Sequence, residues 1–174
     1  SLRGDINTDT IQNMMDAQMY ISDILADDIT ASECNDLNVD GDIDVYDAAL
    51  MVDCHQSNEG HITGSAHDHC NFPYGVTNIF DTVTFSIGHV NHNQQYIDIY
   101  IQNPSAKIVA YQFEMSGIEI ESVENLVDPT AYPGSPEWAL GGTEVIGISY
   151  LDSVIPRYQN PTALCRINYF SLTD

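Results

Sequence analysis

Hydrophobic positions change period partway along this chain. Met15, Met19, Ile21 and Leu25 recur against Gln18, Ser22 and Asp23, a rough helical stripe that opens at Asp16-Ala17. Ala48, Met51 and Val52 repeat that stripe further on. From residue 82 the period becomes two. Residues 82–88, 96–102, 108–115, 145–151 and 163–170 alternate apolar and polar side chains between Asn, Pro and Gly turns, with no long helix among them. The pattern predicts two short helices followed by six or seven strands. The expected class is α+β in more than one domain. A small two-helix module covers 1–56, a linker rich in Gly, Ser and His covers 57–75, and an antiparallel β-sandwich covers 76–174.

Each helical stripe is preceded by oxygen-bearing side chains at fixed spacing. In residues 5–16 these are Asp5, Asn7, Asp9, Asn13 and Asp16; in residues 36–47 they are Asp36, Asn38, Asp40, Asp44 and Asp47. They fall at places 1, 3, 5, 9 and 12 of both loops, and the main-chain carbonyls of Ile11 and Asp42 supply place 7. That spacing wraps oxygen donors around one hard cation per loop, so two calcium ions are expected. The second loop has Gly41 at the sixth place, where the chain turns sharply, and Ile43 at the eighth. The first has Thr10 and Gln12 there.

Each unit is a loop and then a helix, and only four residues precede Asp5, too few for the entering helix of an ordinary EF-hand. The segment resembles a type I dockerin over residues 4–56. The likeness rests on Gly4-Asp5-Ile6-Asn7-x-Asp9 and Asp36-Leu37-Asn38-x-Asp40-Gly41. The Ser/Thr recognition pair of many dockerins is not evident on the first helical turn. A second resemblance covers about residues 82–172. Residues 109–118, 145–150, Ile155-Pro156 and 164–170 are similar to a cohesin-like jelly roll, in a region shorter than a usual cohesin. Cohesins are the receptors of dockerins, so the two resemblances imply a plug and a socket in one chain.

Charge narrows the partners. The 174 residues carry a net −22, opposed only by Arg3, Lys107, Arg157 and Arg166. That field repels nucleic acid and anionic membrane. No apolar run is long enough for membrane insertion. Two divalent ions would remove four units of charge, so folding of the N-terminal module is expected to depend on metal.

Four cysteines, Cys34, Cys54, Cys70 and Cys165, suggest disulfides and a secreted, extracellular or cell-surface protein. Three pairings are possible. The expected one joins Cys54 to Cys70 across the linker and leaves Cys34 with Cys165 to clamp the two modules together. His55, His61, His67, His69 and Cys70 are candidate donors for a transition metal, although their spacing matches no common closed site.

No Gly-x-Ser-x-Gly, His-Glu-x-x-His or phosphate loop occurs, and the carboxylates concentrate in the metal loops. The expected protein is therefore non-catalytic. It is expected to self-assemble head to tail into a filament or surface assembly, dockerin-like half to the cohesin-like half of the next copy. Met14, Met15, Met19 and Tyr20 are the expected apolar contacts. A cohesin- or dockerin-type partner protein, a monomeric surface adaptor and a carbohydrate-binding module are the alternatives. Trp138 is expected on a covering loop, plugging the core rather than stacking on sugar.

Overall fold

A computed structural model describes residues 2–57, 70, 72, 82–151 and 153–172. The chain divides into two compact units, residues 1–78 with 150–152 and residues 79–149 with 153–174.

The first unit holds two helices, α1 (Met14–Leu25) and α2 (Val45–Ser57). Each starts at the tenth place of its loop. Asn13 caps α1, its side chain accepting from the Met15 N–H, while the Asp16 carboxylate reaches back to the Asn13 N–H. This reciprocal pairing satisfies two donors that a helix start otherwise leaves open. The helices bury Ala17, Tyr20, Ile21 and Ile24 of α1 against Ala48, Ala49, Met51 and Val52 of α2, with Leu37 and Phe72 alongside. Small side chains dominate the α2 share, so the core is thin for a unit of this size.

The second unit is built from seven strands among the described residues: β1 (Thr84–Asn91), β2 (Tyr96–Gln102), β3 (Ala110–Glu114), β4 (Ile118–Asn125), β5 (Glu137–Trp138), β6 (Glu144–Ile148) and β7 (Thr162–Leu172). All the pairings are antiparallel. One sheet has the order β1-β2-β7-β4 and the other β3-β6-β5. The alternation read from the sequence explains which side faces in. Ile97, Ile99 and Ile101 of β2, Leu164 and Ile167 of β7, Ile120 of β4, Tyr111 of β3 and Val145 of β6 form one buried cluster shared by both sheets. Asn103, fully buried after β2, has its side-chain N–H groups donating to the Ala106 and Pro156 carbonyls, while its amide oxygen accepts from the Tyr158 N–H. Trp138 lies on β5 rather than on a loop, and packs partly buried against the cluster.

β4 and β5 were not among the segments expected from alternation. Ile118, Ile120 and Val123 do point inward, but register shifts beside Ile120 break the strict period. β5 is two residues long, too short to show a period.

β1 is the exposed edge of its sheet. Phe85, Ile87 and Val90 stand opposite Ile101, Ile99 and Ile97, so they share the side of the buried isoleucines. Yet Ile87 is 63% exposed, and Phe85 and Val90 are also open to solvent. Phe85 meets the edge strand of the other sheet through Tyr111 and Phe113, with ring centroids 6.4 and 5.6 Å away.

Candidate metal centres

The two loops match bond for bond. Asp5 accepts from the N–H groups of Asp9 and Thr10 at 3.1 and 3.0 Å; Asp36 accepts from those of Asp40 and Gly41 at 3.2 and 2.9 Å. Asn7 Oδ1 takes the Asp9 N–H at 2.9 Å, and Asn38 Oδ1 takes the Asp40 N–H at 3.1 Å. Asp9 and Asp40 each accept from the N–H two residues on, that of Ile11 or Asp42. Asn13 and Asp44 accept from the first-turn N–H of Met15 and Tyr46, both at 2.7 Å.

Backbone shape repeats as well. The fourth place is left-handed in both loops, with φ 58° at Thr8 and 59° at Val39. So is the sixth, with φ 73° at Thr10 and 99° at Gly41. Glycine carries that shape without penalty, whereas threonine is strained in it.

The twelfth place closes each loop. Asp16 accepts from the N–H groups of Ile6, Asn7 and Asn13 at 3.0, 3.4 and 2.8 Å. Asp47 accepts from those of Leu37 and Asp44 at 2.6 and 3.0 Å. Both carboxylates are fully buried. Asp16 Oδ2 and both Asp47 oxygens accept one N–H each and keep a second lone pair for a cation. Burial pushes the Asp47 carboxyl up to about 6, with the negative charges of Asp44 and Asp36 adding to the shift and the two N–H donors opposing it. Burial likewise raises Asp16, against its three N–H donors and with Asp5 adding. Asp44 is raised by burial and by the charges of Asp40, Asp42 and Asp36, and lowered by the Tyr46 N–H. A bound cation reverses this balance, because it favours the ionised form of every carboxylate around it.

Among the described residues no three His, Cys, Asp or Glu side chains are gathered into a metal-binding group. An ion held here would take a mixed set of donors: carboxylates, the amide oxygens of Asn7 and Asn38, and main-chain carbonyls at Ile11 and Asp42. All are hard oxygens, the donor chemistry of calcium rather than of zinc or copper. The Asp42 side chain itself is exposed, in keeping with a role for its main chain alone.

Three residues outside the spacing pattern fix the loops. Arg3 donates to the carbonyls of Asp36 and Leu37 at 3.3 and 3.0 Å, joining the chain before the first loop to the second. Gln12 donates to the Arg3 carbonyl at 2.5 Å and accepts the Cys70 N–H at 2.8 Å. The Phe72 ring is buried under Arg3, whose guanidinium carbon lies 5.9 Å from the ring centroid. Gln12 had looked like a departure from the pattern; a polar side chain there accepts the Cys70 N–H. No local signal in the sequence ties Gln12 to Cys70.

Three expectations change. Cys54 and Cys70 form a disulfide, Cα to Cα 5.7 Å, but Cys34 and Cys165 form none. Cys165 points into the core of the two-sheet unit with no exposed surface, where burial pushes its thiol up to about 12. A side chain committed to that core is not available to clamp the two units. The disulfide also removes Cys70 from any transition-metal site, and His61, His67 and His69 lie outside the described residues. His55 lies in the last turn of α2. Tyr20 is not a surface contact: it is fully buried, and its hydroxyl donates to the Asn35 carbonyl at 2.7 Å. Met15 is exposed, and Met14 and Met19 are half-buried.

Among the described residues no helix is long and apolar enough to cross a membrane. No family model, curated protein or solved structure matches the chain.

Proposed function

We propose that this chain is a non-catalytic, calcium-binding extracellular protein that assembles head to tail with copies of itself. In this reading the first unit acts as a dockerin-like plug and the second as a cohesin-like, jelly-roll socket. The observation that carries the calcium part is the bond-for-bond equivalence of the two loops. A chance pair of acidic turns has no reason to share seven acceptor roles, two left-handed places and a buried closing carboxylate.

Self-association is supported by apolar surface on each unit. Met15 and Tyr46 are counterparts in the repeat, both on a first helical turn, and they are 57% and 40% exposed. Ile11 and Val39 are exposed on the same unit. On the second unit Phe85, Ile87, Val90 and Val109 are exposed at the β1 and β3 edges. Unpaired strand edges with open apolar side chains accept neighbouring chains. Contact between unlike surfaces that does not close into a ring grows as a filament. At −22 per copy, growth needs a divalent ion to lower the repulsion. The Cys54–Cys70 disulfide fits an oxidising compartment.

Two single variants of the full chain test this. Met15→Glu spoils the plug and Ile87→Glu spoils the socket. In millimolar calcium, light scattering is expected to show polymers for the parent chain and monomers for each variant. Mixed together, the two variants are expected to form a one-to-one dimer and stop, because each retains one sound surface. A parent chain that binds calcium and stays monomeric overturns the assembly reading, in favour of an adaptor or a glycan-binding module.

A further inference from the structure

A disulfide-anchored strap, Cys70 and Phe72, reaches the first metal loop. Cys54 lies on α2 and is bonded to Cys70. The Cys70 N–H then donates to Gln12 Oε1, at the eighth place of the first loop. Two residues on, Phe72 is 5% exposed. Its ring sits where a Cβ on Gly4 would come to 3.1 Å, beside the Met51 sulfur at the same distance. Gly4 adopts φ 81° and directly precedes Asp5, the first ligand position. Gln12 in turn donates to the Arg3 carbonyl, one residue before Gly4. The strap therefore holds both ends of the segment that carries Asp5, Asn7 and Asp9. Among the described residues no such support reaches the second loop at its eighth place, Ile43, and Gly41 carries its sharp turn.

We propose that the Cys54–Cys70 disulfide sets the calcium affinity of the first loop, through the Cys70–Gln12 hydrogen bond and the burial of Phe72, and leaves the second loop nearly untouched. The proposal rests on the calcium reading above. Thr10 strains the first loop at its sixth place, so an empty first loop is expected to rearrange more readily than the second. The strap limits that rearrangement while the disulfide is intact. On reduction, an external dithiol supplies two electrons and two protons. The S–S bond breaks, Cys54 and Cys70 become thiols, and the dithiol leaves as its own cyclic disulfide. Cys70 and Phe72 are then joined to α2 only through the intervening chain, without the cross-link at Cys54. Holding the first loop in its binding shape then costs affinity, in the way that loss of preorganisation does.

Calcium titration of the full chain by calorimetry, with and without dithiothreitol, reads the effect. Asp40→Ala disables the second loop and isolates the first; Asp9→Ala isolates the second. Reduction is expected to weaken binding to Asp40→Ala about tenfold, the loss of roughly one buried hydrogen bond and its packing. Binding to Asp9→Ala is expected to stay within about twofold. Gln12→Ala, placed in the Asp40→Ala chain, is expected to lower affinity while oxidised and to respond less to reduction. Equal shifts at both loops, or no shift at the first, overturn the proposal. An oxidised parent chain that takes up no calcium overturns the calcium reading itself, a distinct outcome. Cys54→Ser with Cys70→Ser repeats the test without reductant. If that variant binds at the first loop like the oxidised parent, the disulfide has no such role.

Discussion

Asp16 and Asp47 are counterparts across the repeat: each is fully buried, and each closes its loop by accepting main-chain N–H groups from the loop's start and from its ninth place. A buried carboxylate among other carboxylates is poised between a proton and a cation, and pH decides between them.

For Asp47 the sign follows from its raised value of about 6 against the 3.8 of an unperturbed aspartate. Between those values the metal-free folded chain holds a proton that the unfolded chain releases. Stability from this group is therefore full below about 4 and is lost as pH rises through about 6, a change on the order of 3 kcal/mol. In chelator, the first unit is expected to melt higher at pH 5 than at pH 7.5, and Asp47→Asn is expected to shrink that difference. With calcium the dependence inverts, because the ion needs the ionised carboxylate, and affinity for the second loop falls as pH drops through about 6. Calorimetry at the two pH values checks both.

Thr10 and Gly41 share a left-handed place, and nothing lies within 4 Å of a Cβ built on Gly41. Gly41→Ala therefore meets backbone strain alone and is expected to cost about 1 kcal/mol. Thr10→Gly relieves the same strain in the first loop at some cost in chain entropy, for a net gain of about 0.5 kcal/mol. Melting temperatures in calcium are expected to move down for the first variant and up for the second.

Thiol chemistry separates the four cysteines. The denatured, unreduced chain is expected to titrate two thiols, Cys34 and Cys165, and four after reduction. In the native protein Cys165 is expected to stay unreactive, since its buried thiol does not ionise near neutral pH. A denatured chain with no reactive thiol would contradict this assignment.

On the second unit, the Arg166 guanidinium grips Asp98 with two hydrogen bonds at 2.7 and 3.0 Å and lies 3.7 Å from the Tyr96 ring centroid. Asp98 is 6% exposed, so losing its partner strands a nearly buried charge. Arg166 itself keeps 30% of its side-chain surface in solvent, which moderates the loss. Arg166→Ala is expected to destabilise the unit by about 2 kcal/mol in urea unfolding. Arg166→Lys is expected to recover part of that, because a point charge cannot reproduce the paired geometry.

By itself the sequence determined the parts whose signals are local. Oxygen side chains at fixed places specified two equivalent loops, because that spacing is written along the chain. Each α-helix was legible from a stripe following its loop, although α1 buries Ala17, Tyr20, Ile21 and Ile24 and leaves Met15 exposed. β1, β2, β3, β6 and β7 were legible from period two, because one face of each is meant for a core. Tertiary structure decided what depends on partners far apart in sequence. It put Cys165 inside the two-sheet core and left Cys34 outside any disulfide. It buried Tyr20 against the Asn35 carbonyl, although an aromatic residue on a short helix reads equally well as surface. It also gave Gln12 its purpose, 58 residues from Cys70. Spacing along a chain states what a segment offers; only the fold brings the far group that takes it up, since burial and hydrogen bonding are properties of neighbours in space.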